Sequence, residues 1–152
     1  MPDRVNALFF ELFNEVGIIE QLSRALFEAR LPSGMLVSHF SVLNHLIRVR
    51  DGRTPLELAR AFQVAKTTMT HTLSVLERHA LVEMRPNPAD KRSKQVFISD
   101  AGRAFRERAI ASLAPDIATL ATRFDVDKVE RMLPLLSELR RQLDEQRSEA
   151  PS

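Results

Sequence analysis

The chain has no cysteine, no tryptophan and no tyrosine, and only four glycines in 152 residues. Without cysteine there is no disulfide framework, no thiolate zinc site and no thiol redox switch. So few glycines leave no Gly-rich phosphate loop, and no nucleophile elbow is present. No apolar run approaches the roughly 20 residues that a membrane span requires. Met1-Pro2-Asp3-Arg4 lacks the basic region and apolar core of a signal peptide, so a cytoplasmic location is expected. The four histidines, His39, His45, His71 and His79, include no pair at i,i+4 spacing and read as helix residues, not metal ligands. Neither metal nor cofactor is expected, and the chain does not read as an enzyme.

Charge of one sign is also scarce overall, at a net +2, but it is unevenly spread. Residues 1–45 carry three cations and five acids, residues 46–108 thirteen and seven, and residues 109–152 six and eight. The middle is therefore +6 and each end −2. A basic middle between acidic ends is the footprint of a DNA-binding module held by something else.

What is present is mostly helical spacing. Val5, Leu8, Phe9, Leu12, Phe13, Val16, Ile19, Leu22 and Leu26 recur every three or four residues, predicting one long amphipathic helix. Leu31-Pro32-Ser33-Gly34 breaks it, and a compact second helix runs from Met35 to Arg48. Thr54-Pro55-Leu56-Glu57 is a capping box with proline at the first helical position, opening a short helix through Ala61-Phe62. The next helix spans about 64–80, with Met69, Leu73, Leu76 and Ala80 on one face. Thr67, His71, Ser74 and Arg78 lie opposite, flanked by Lys66 and Thr70. Alone, this is what any amphipathic helix with a solvated polar face looks like. After a short helix and a tight turn it suits a recognition helix in a major groove, with hydroxyls and imidazole on base edges and cations on phosphates. The start at Lys66-Thr67-Thr68 also offers free backbone N–H groups to a phosphate.

The spacing then switches to period two. Val82 and Met84 alternate with Glu83 and Arg85, Pro86-Asn87-Pro88 forces a turn, and Gln95-Val96-Phe97-Ile98 forms a second strand after the polar connection 89–94. Between Arg85 and Lys94 four cations (Arg85, Lys91, Arg92, Lys94) face one acid, Asp90. A hairpin tip so one-sidedly basic suits a sugar-phosphate backbone. Ser99 reads as the cap of a long helix through about Thr122, kinked at Pro115. Asp127-Lys128-Val129-Glu130 opens a last helix with a leucine stripe at Leu133, Leu136, Leu139 and Leu143, a bend at Pro134, and a polar tail from Glu145 expected to fray.

The order helix, hairpin, then Ser99-Asp100-Ala101-Gly102, together with Asn87-Pro88-Ala89-Asp90-Lys91-Arg92-Ser93, resembles the winged helix-turn-helix of the MarR family of bacterial transcription regulators. The match covers about residues 35–105, with Ala80 standing where the family usually has glycine. The resemblance implies that Arg92 enters the minor groove and that Asp90 orients it. It also implies a homodimer, which the sequence favours independently. Two terminal helices are too apolar to stand alone, and one recognition helix reads too few base pairs whereas two read a palindrome. Packing of both helices on their own chain's core is the competing explanation.

The expected architecture is mainly α with a small β-hairpin wing. Residues 31–108 are the winged helix-turn-helix DNA-binding domain, and residues 1–30 and 109–149 a discontinuous dimerisation region. The expected DNA-binding residues are Lys66, Thr67, Thr68, Thr70, His71, Ser74, Arg78, Asp90, Lys91, Arg92 and Lys94. The expected function is that of a homodimeric regulator of transcription, a repressor, on a palindromic operator. By the resemblance, a small aromatic or anionic ligand relieves repression from a crevice lined by Phe9, Phe13, His39, Phe40 and Arg48, although core packing accounts for the phenylalanines equally well. The alternative is a winged-helix protein-interaction module without specific DNA binding. The neutral-to-basic helix face argues against it.

Overall fold

Helix α1 (Pro2–Glu28) carries the long apolar stripe and leaves it in the open: Val5, Leu8, Phe9, Phe10, Leu12, Phe13, Val16, Ile19, Leu22 and Leu26 are all exposed. Only at its end does it enter a core, where Phe27 is buried and stands edge-on to Phe40 at 4.5 Å. The computed structural model describes residues 2–150, which cluster into two compact units, one ending at Leu113 and one beginning at Ala114.

In the first unit, α2 (Val37–Arg48), α3 (Pro55–Phe62), α4 (Lys66–Arg78), a hairpin of β1 (Val82–Asn87) and β2 (Asp90–Ile98), and α5 (Asp100–Ser112) close around one core. Val42, Leu43, Leu46, Leu58, Leu73, Leu76 and Val96 are its most buried side chains. Each contributes about 1.5–3 kcal/mol by leaving water, so these seven residues bind three helices to the wing.

Helix ends follow local chemistry. The expected capping box forms at α3: Thr54 Oγ1 accepts the Glu57 N–H at 3.2 Å, and Glu57 Oε1 accepts the Thr54 N–H at 3.2 Å. Leu36 has no side-chain oxygen to cap α2, so the outward N–H of Leu36 is taken by His39 Nδ1 at 2.8 Å, and that of Val37 by Glu28 Oε1 at 3.1 Å. Helix α3 ends at Gln63 with φ +52°, and the chain turns through Val64-Ala65 into α4.

The exit of α4 is a Schellman motif. Leu81 N–H reaches the Leu76 carbonyl and Ala80 N–H the Glu77 carbonyl, both at 2.9 Å, with Ala80 in the left-handed region at φ +57°. Ala80 therefore leaves the apolar helix face expected of it and is exposed on the turn. Ser99 ties this turn to the next helix: its Oγ donates to the Ala80 carbonyl at 2.6 Å and accepts the Gly102 N–H at 3.0 Å. A Cβ on Gly102 would overlap the Leu81 carbonyl, so the approach requires glycine.

The wing differs from expectation in extent. β1 runs on through Pro86 to Asn87, and β2 begins at Asp90, so the turn is Pro88-Ala89 alone. Pro86 is tolerated because β1 has β2 on one side only. Val82 pairs with Ile98, Met84 with Val96 and Pro86 with Lys94, after which the register shifts and Asn87 pairs with Asp90. On its other side β2 bridges Arg53, whose carbonyl accepts the Val96 N–H at 2.7 Å.

The expected helix from Ser99 to Thr122 is broken at Leu113, not kinked at Pro115. Beyond it the second unit holds α6 (Ala114–Ala121) and α7 (Val126–Glu149). The cap of α7 is Asp125, which accepts the Asp127 N–H at 3.0 Å, two residues earlier than expected. Helix α7 carries Pro134 internally and continues through the polar tail to Glu149, helped there by Asp144 pairing with Arg140 and Arg147. Neither α6 nor α7 has a buried residue, and Ile117, Leu120, Met132, Leu133, Leu135, Leu136 and Leu143 are exposed.

Candidate nucleic-acid interface

Helix α4 divides cleanly. Met69, Thr72, Leu73, Val75 and Leu76 face the core, and Lys66, Thr67, Thr68, Thr70, His71, Ser74 and Arg78 are all exposed. Thr72 hides its hydroxyl by donating to the Thr68 carbonyl at 3.1 Å; Thr70 does likewise to Lys66 at 2.9 Å but stays accessible as an acceptor. The cap residue Ala65 has no side-chain acceptor, which leaves the first-turn amides of α4 directed at whatever occupies the space before it.

Beside the helix lies an open groove of about 730 Å³ between the starts of α3 and α4 and the wing, lined by Thr54, Pro55, Leu56, Lys66, Thr70, Met84, Asn87, Asp90, Arg92, Ser93 and Lys94. It gathers five of the residues expected from sequence: Lys66, Thr70, Asp90, Arg92 and Lys94. Leu56, Met84, Asn87 and Ser93 were not among the expected site residues. No periodicity marks them, because the groove draws on elements that the fold, not the sequence order, brings side by side.

At the wing tip the Arg92 side chain is 93% exposed and its Nε lies 3.4 Å from Asp90 Oδ1, which also accepts the Arg92 backbone N–H at 2.9 Å. Lys91 and Lys94 are exposed beside it. Arg85 is otherwise engaged, paired with Glu83 at 3.0 Å and stacked 4.3 Å over the Phe97 ring.

Residues 33–93 match the model of the MarR family. Over this segment the chain is similar to the MarR family. Wild-type MarR from E. coli in its apo form is similar at 26% identity and TM-score 0.72, over 84% of this chain and 95% of that one. A mutant of E. coli MarR complexed with operator DNA is similar at 26% identity and TM-score 0.67, over 86% and 94%. The transcriptional regulator BldR from Sulfolobus solfataricus shares the fold at 24% identity and TM-score 0.72, over 88% and 94%. MarR-family proteins are transcription regulators, not enzymes, and their winged helix is the architecture found here.

Two histidines on α2 are biased toward the neutral form. Burial, then the nearby His71 and His79 charges, lower the pKa of His39; burial, then Arg53 and Arg48, lower that of His45. Burial works to raise Glu57, but its bonds to Thr54 and the Arg50 and Arg53 guanidiniums outweigh this and leave it lowered. The capping box of α3 is therefore also an ion-pair cluster, with Glu57 Oε2 2.9 Å from Arg50 and 3.0 Å from Arg53.

The residues expected to line an effector crevice are not brought together within one chain. Phe9 and Phe13 pair with each other, ring centres 6.1 Å apart, on the exposed face of α1. Phe40 packs on Phe27, which lies eighteen residues after Phe9, roughly 27 Å along a continuous helix. His39 is buried and spends Nδ1 on Leu36, while Arg48 is exposed at the other end of α2. Among the described residues no cluster suits a metal ion, and no helix is long and apolar enough to cross a membrane.

Proposed function

We propose that this protein is a sequence-specific double-stranded-DNA-binding transcription regulator that acts as a homodimer on a palindromic operator, as a repressor. The observation that carries the reading is the shared groove, in which the tethered Arg92 of the wing and the Lys66 and Thr70 of α4 line one open space. Thr67, Thr70, His71 and Ser74 read base edges in the major groove. Lys66, Arg78, Lys91, Lys94 and the Thr68 amide hold phosphates, and Arg92, oriented by Asp90, reaches the adjacent minor groove. That a MarR from E. coli is solved on operator DNA supports this assignment.

Residues 31–108 are the DNA-binding domain of this reading, and residues 1–30 and 109–149 its dimerisation region. The exposed apolar faces of α1 and α7 support it, because monomeric proteins rarely leave so much contiguous apolar surface in water. Relief by a small aromatic or anionic ligand extends the family resemblance. A crevice joining Phe9 and Phe13 to His39, Phe40 and Arg48 needs two copies of the chain.

Selection from random-sequence duplexes tests the core of the proposal. A palindrome with half-sites about one helical turn apart is the expected product. Thr67→Ala or His71→Ala should relax preference at one position per half-site by about 1–3 kcal/mol, and Lys66→Ala should weaken all duplexes alike. Failure to enrich any sequence would refute it, and a winged-helix protein-interaction module would take its place.

A further inference from the structure

The wing tip contains an irregularity that the DNA reading does not use. Pro86 pairs with Lys94 and the next residue, Asn87, with Asp90, so Lys91, Arg92 and Ser93 have no register partner in the β1–β2 ladder. Three unpaired residues at the end of a hairpin are ordinarily free to shift, yet these carry the guanidinium aimed at DNA. One side chain ties both ends of the segment. Asn87 Oδ1 accepts the Ala89 N–H at 3.0 Å, fixing the turn, and Asn87 Nδ2 donates to Ser93 Oγ at 2.9 Å, on the far side of the bulge. Ser93 Oγ in turn lies 3.4 Å from the Asp90 carbonyl, and Asp90 Oδ1 holds Arg92.

We propose that Asn87 is a positioning residue for Arg92: its carboxamide clasps the bulged tip so that the guanidinium meets DNA already oriented. This rests on the DNA-binding function above and deepens it. Asn87 is only half-buried and outside the hydrophobic core, so its hydrogen bonds act on the tip and not on the fold. Preorganisation lowers the ordering cost that a free arginine meets on binding. Removing the clasp should therefore weaken binding only while Arg92 is there to be ordered.

The test is a double-mutant cycle read by fluorescence anisotropy on the selected duplex, with melting temperature followed for each protein. Asn87→Ala should weaken binding roughly 5- to 10-fold in the wild-type background and less than about 2-fold on top of Arg92→Ala. Ser93→Ala, which removes the same cross-bulge bond but keeps the turn, should show a smaller loss with the same dependence on Arg92. Without DNA, the Arg92 amide should exchange faster in Asn87→Ala than in wild type, with melting unchanged. Equal losses in both backgrounds would mean that Asn87 touches DNA or supports the fold, and would overturn the clasp, as would unchanged affinity. A wild-type protein with no preference for any duplex would overturn the DNA reading itself and the clasp with it; the two failures are thus distinct.

Discussion

Asp90 and Arg92 meet through a single oxygen, with Asp90 Oδ1 accepting the Arg92 backbone N–H at 2.9 Å and lying 3.4 Å from its Nε. An ion pair with the arginine 93% exposed adds almost nothing to folding. In the proposed DNA-binding reading its role is directional, biasing the path along which the guanidinium leaves the tip. Arg92→Ala should leave the melting temperature and dimer unchanged and cut operator affinity at least about 10-fold. Asp90→Ala separates two effects. Simple electrostatics favours tighter binding when a carboxylate near phosphate is lost, whereas loss of orientation favours weaker binding. Weaker binding is expected. An Asp90→Ala protein that is folded, dimeric and as tight as wild type by anisotropy would defeat the orientation argument.

Ala80 and Gly102 sit on either side of one junction and respond oppositely to substitution. Ala80 holds φ +57°, a region that costs a residue with a Cβ about 1–2 kcal/mol, so Ala80→Gly should raise stability by about 0.5–1 kcal/mol after the added freedom of the unfolded chain is counted. Gly102→Ala forces a methyl into the Leu81 carbonyl and should lose about 2 kcal/mol or more, with Ser99 pulled off the Ala80 carbonyl. Urea midpoints of the two variants check both signs, and a stabilising Gly102→Ala would show that the α4–α5 junction is looser than described.

The parts of this molecule written in local sequence were readable from it. The Thr54–Glu57 box lies within four residues, and the α4 face follows from a 3.6-residue period, so both could be named without a fold. Other features depend on distance. Pro86-Asn87-Pro88 signals a turn, but nothing local reveals that β1 is an outer strand on which Pro86 can remain in the ladder. The need for Gly102 comes from Leu81, twenty-one positions earlier. The phenylalanines expected to line one crevice are apart within a single chain, because an unbroken helix carries Phe9 far from Phe27 and Phe40.

Dimerisation is checked by mass. The exposed stripes of α1 and α7 should give a particle of two 17.3 kDa chains in sedimentation at micromolar concentration. Replacing Leu133 and Leu136 together by Asp introduces charges that an apolar interface cannot pair, costing about 3 kcal/mol or more, and should dissociate or unfold the protein. A clean wild-type monomer would remove the dimer, and with it the palindrome.

His39 makes stability depend on pH in a direction that can be fixed in advance. Its Nδ1 accepts the Leu36 N–H at 2.8 Å, which requires a lone pair there, and burial together with the His71 and His79 charges lowers its pKa in the fold. A histidine whose folded pKa lies below the ordinary value of about 6.5 binds its proton more readily when unfolded. Its contribution is thus fully present above about pH 6.5 and is lost as pH falls through the folded value. His45, lowered by burial and by Arg53 and Arg48, acts in the same sense. Denaturation should therefore require less urea at about pH 5.5 than at about pH 7.5. Glutamine suits the third position of a helix as a capping acceptor and does not titrate. His39→Gln should keep the bond to Leu36 at both pH values and flatten the dependence, leaving the share owed to His45. Identical pH dependence in wild type and His39→Gln would show that the Leu36 bond does not govern the protonation of His39.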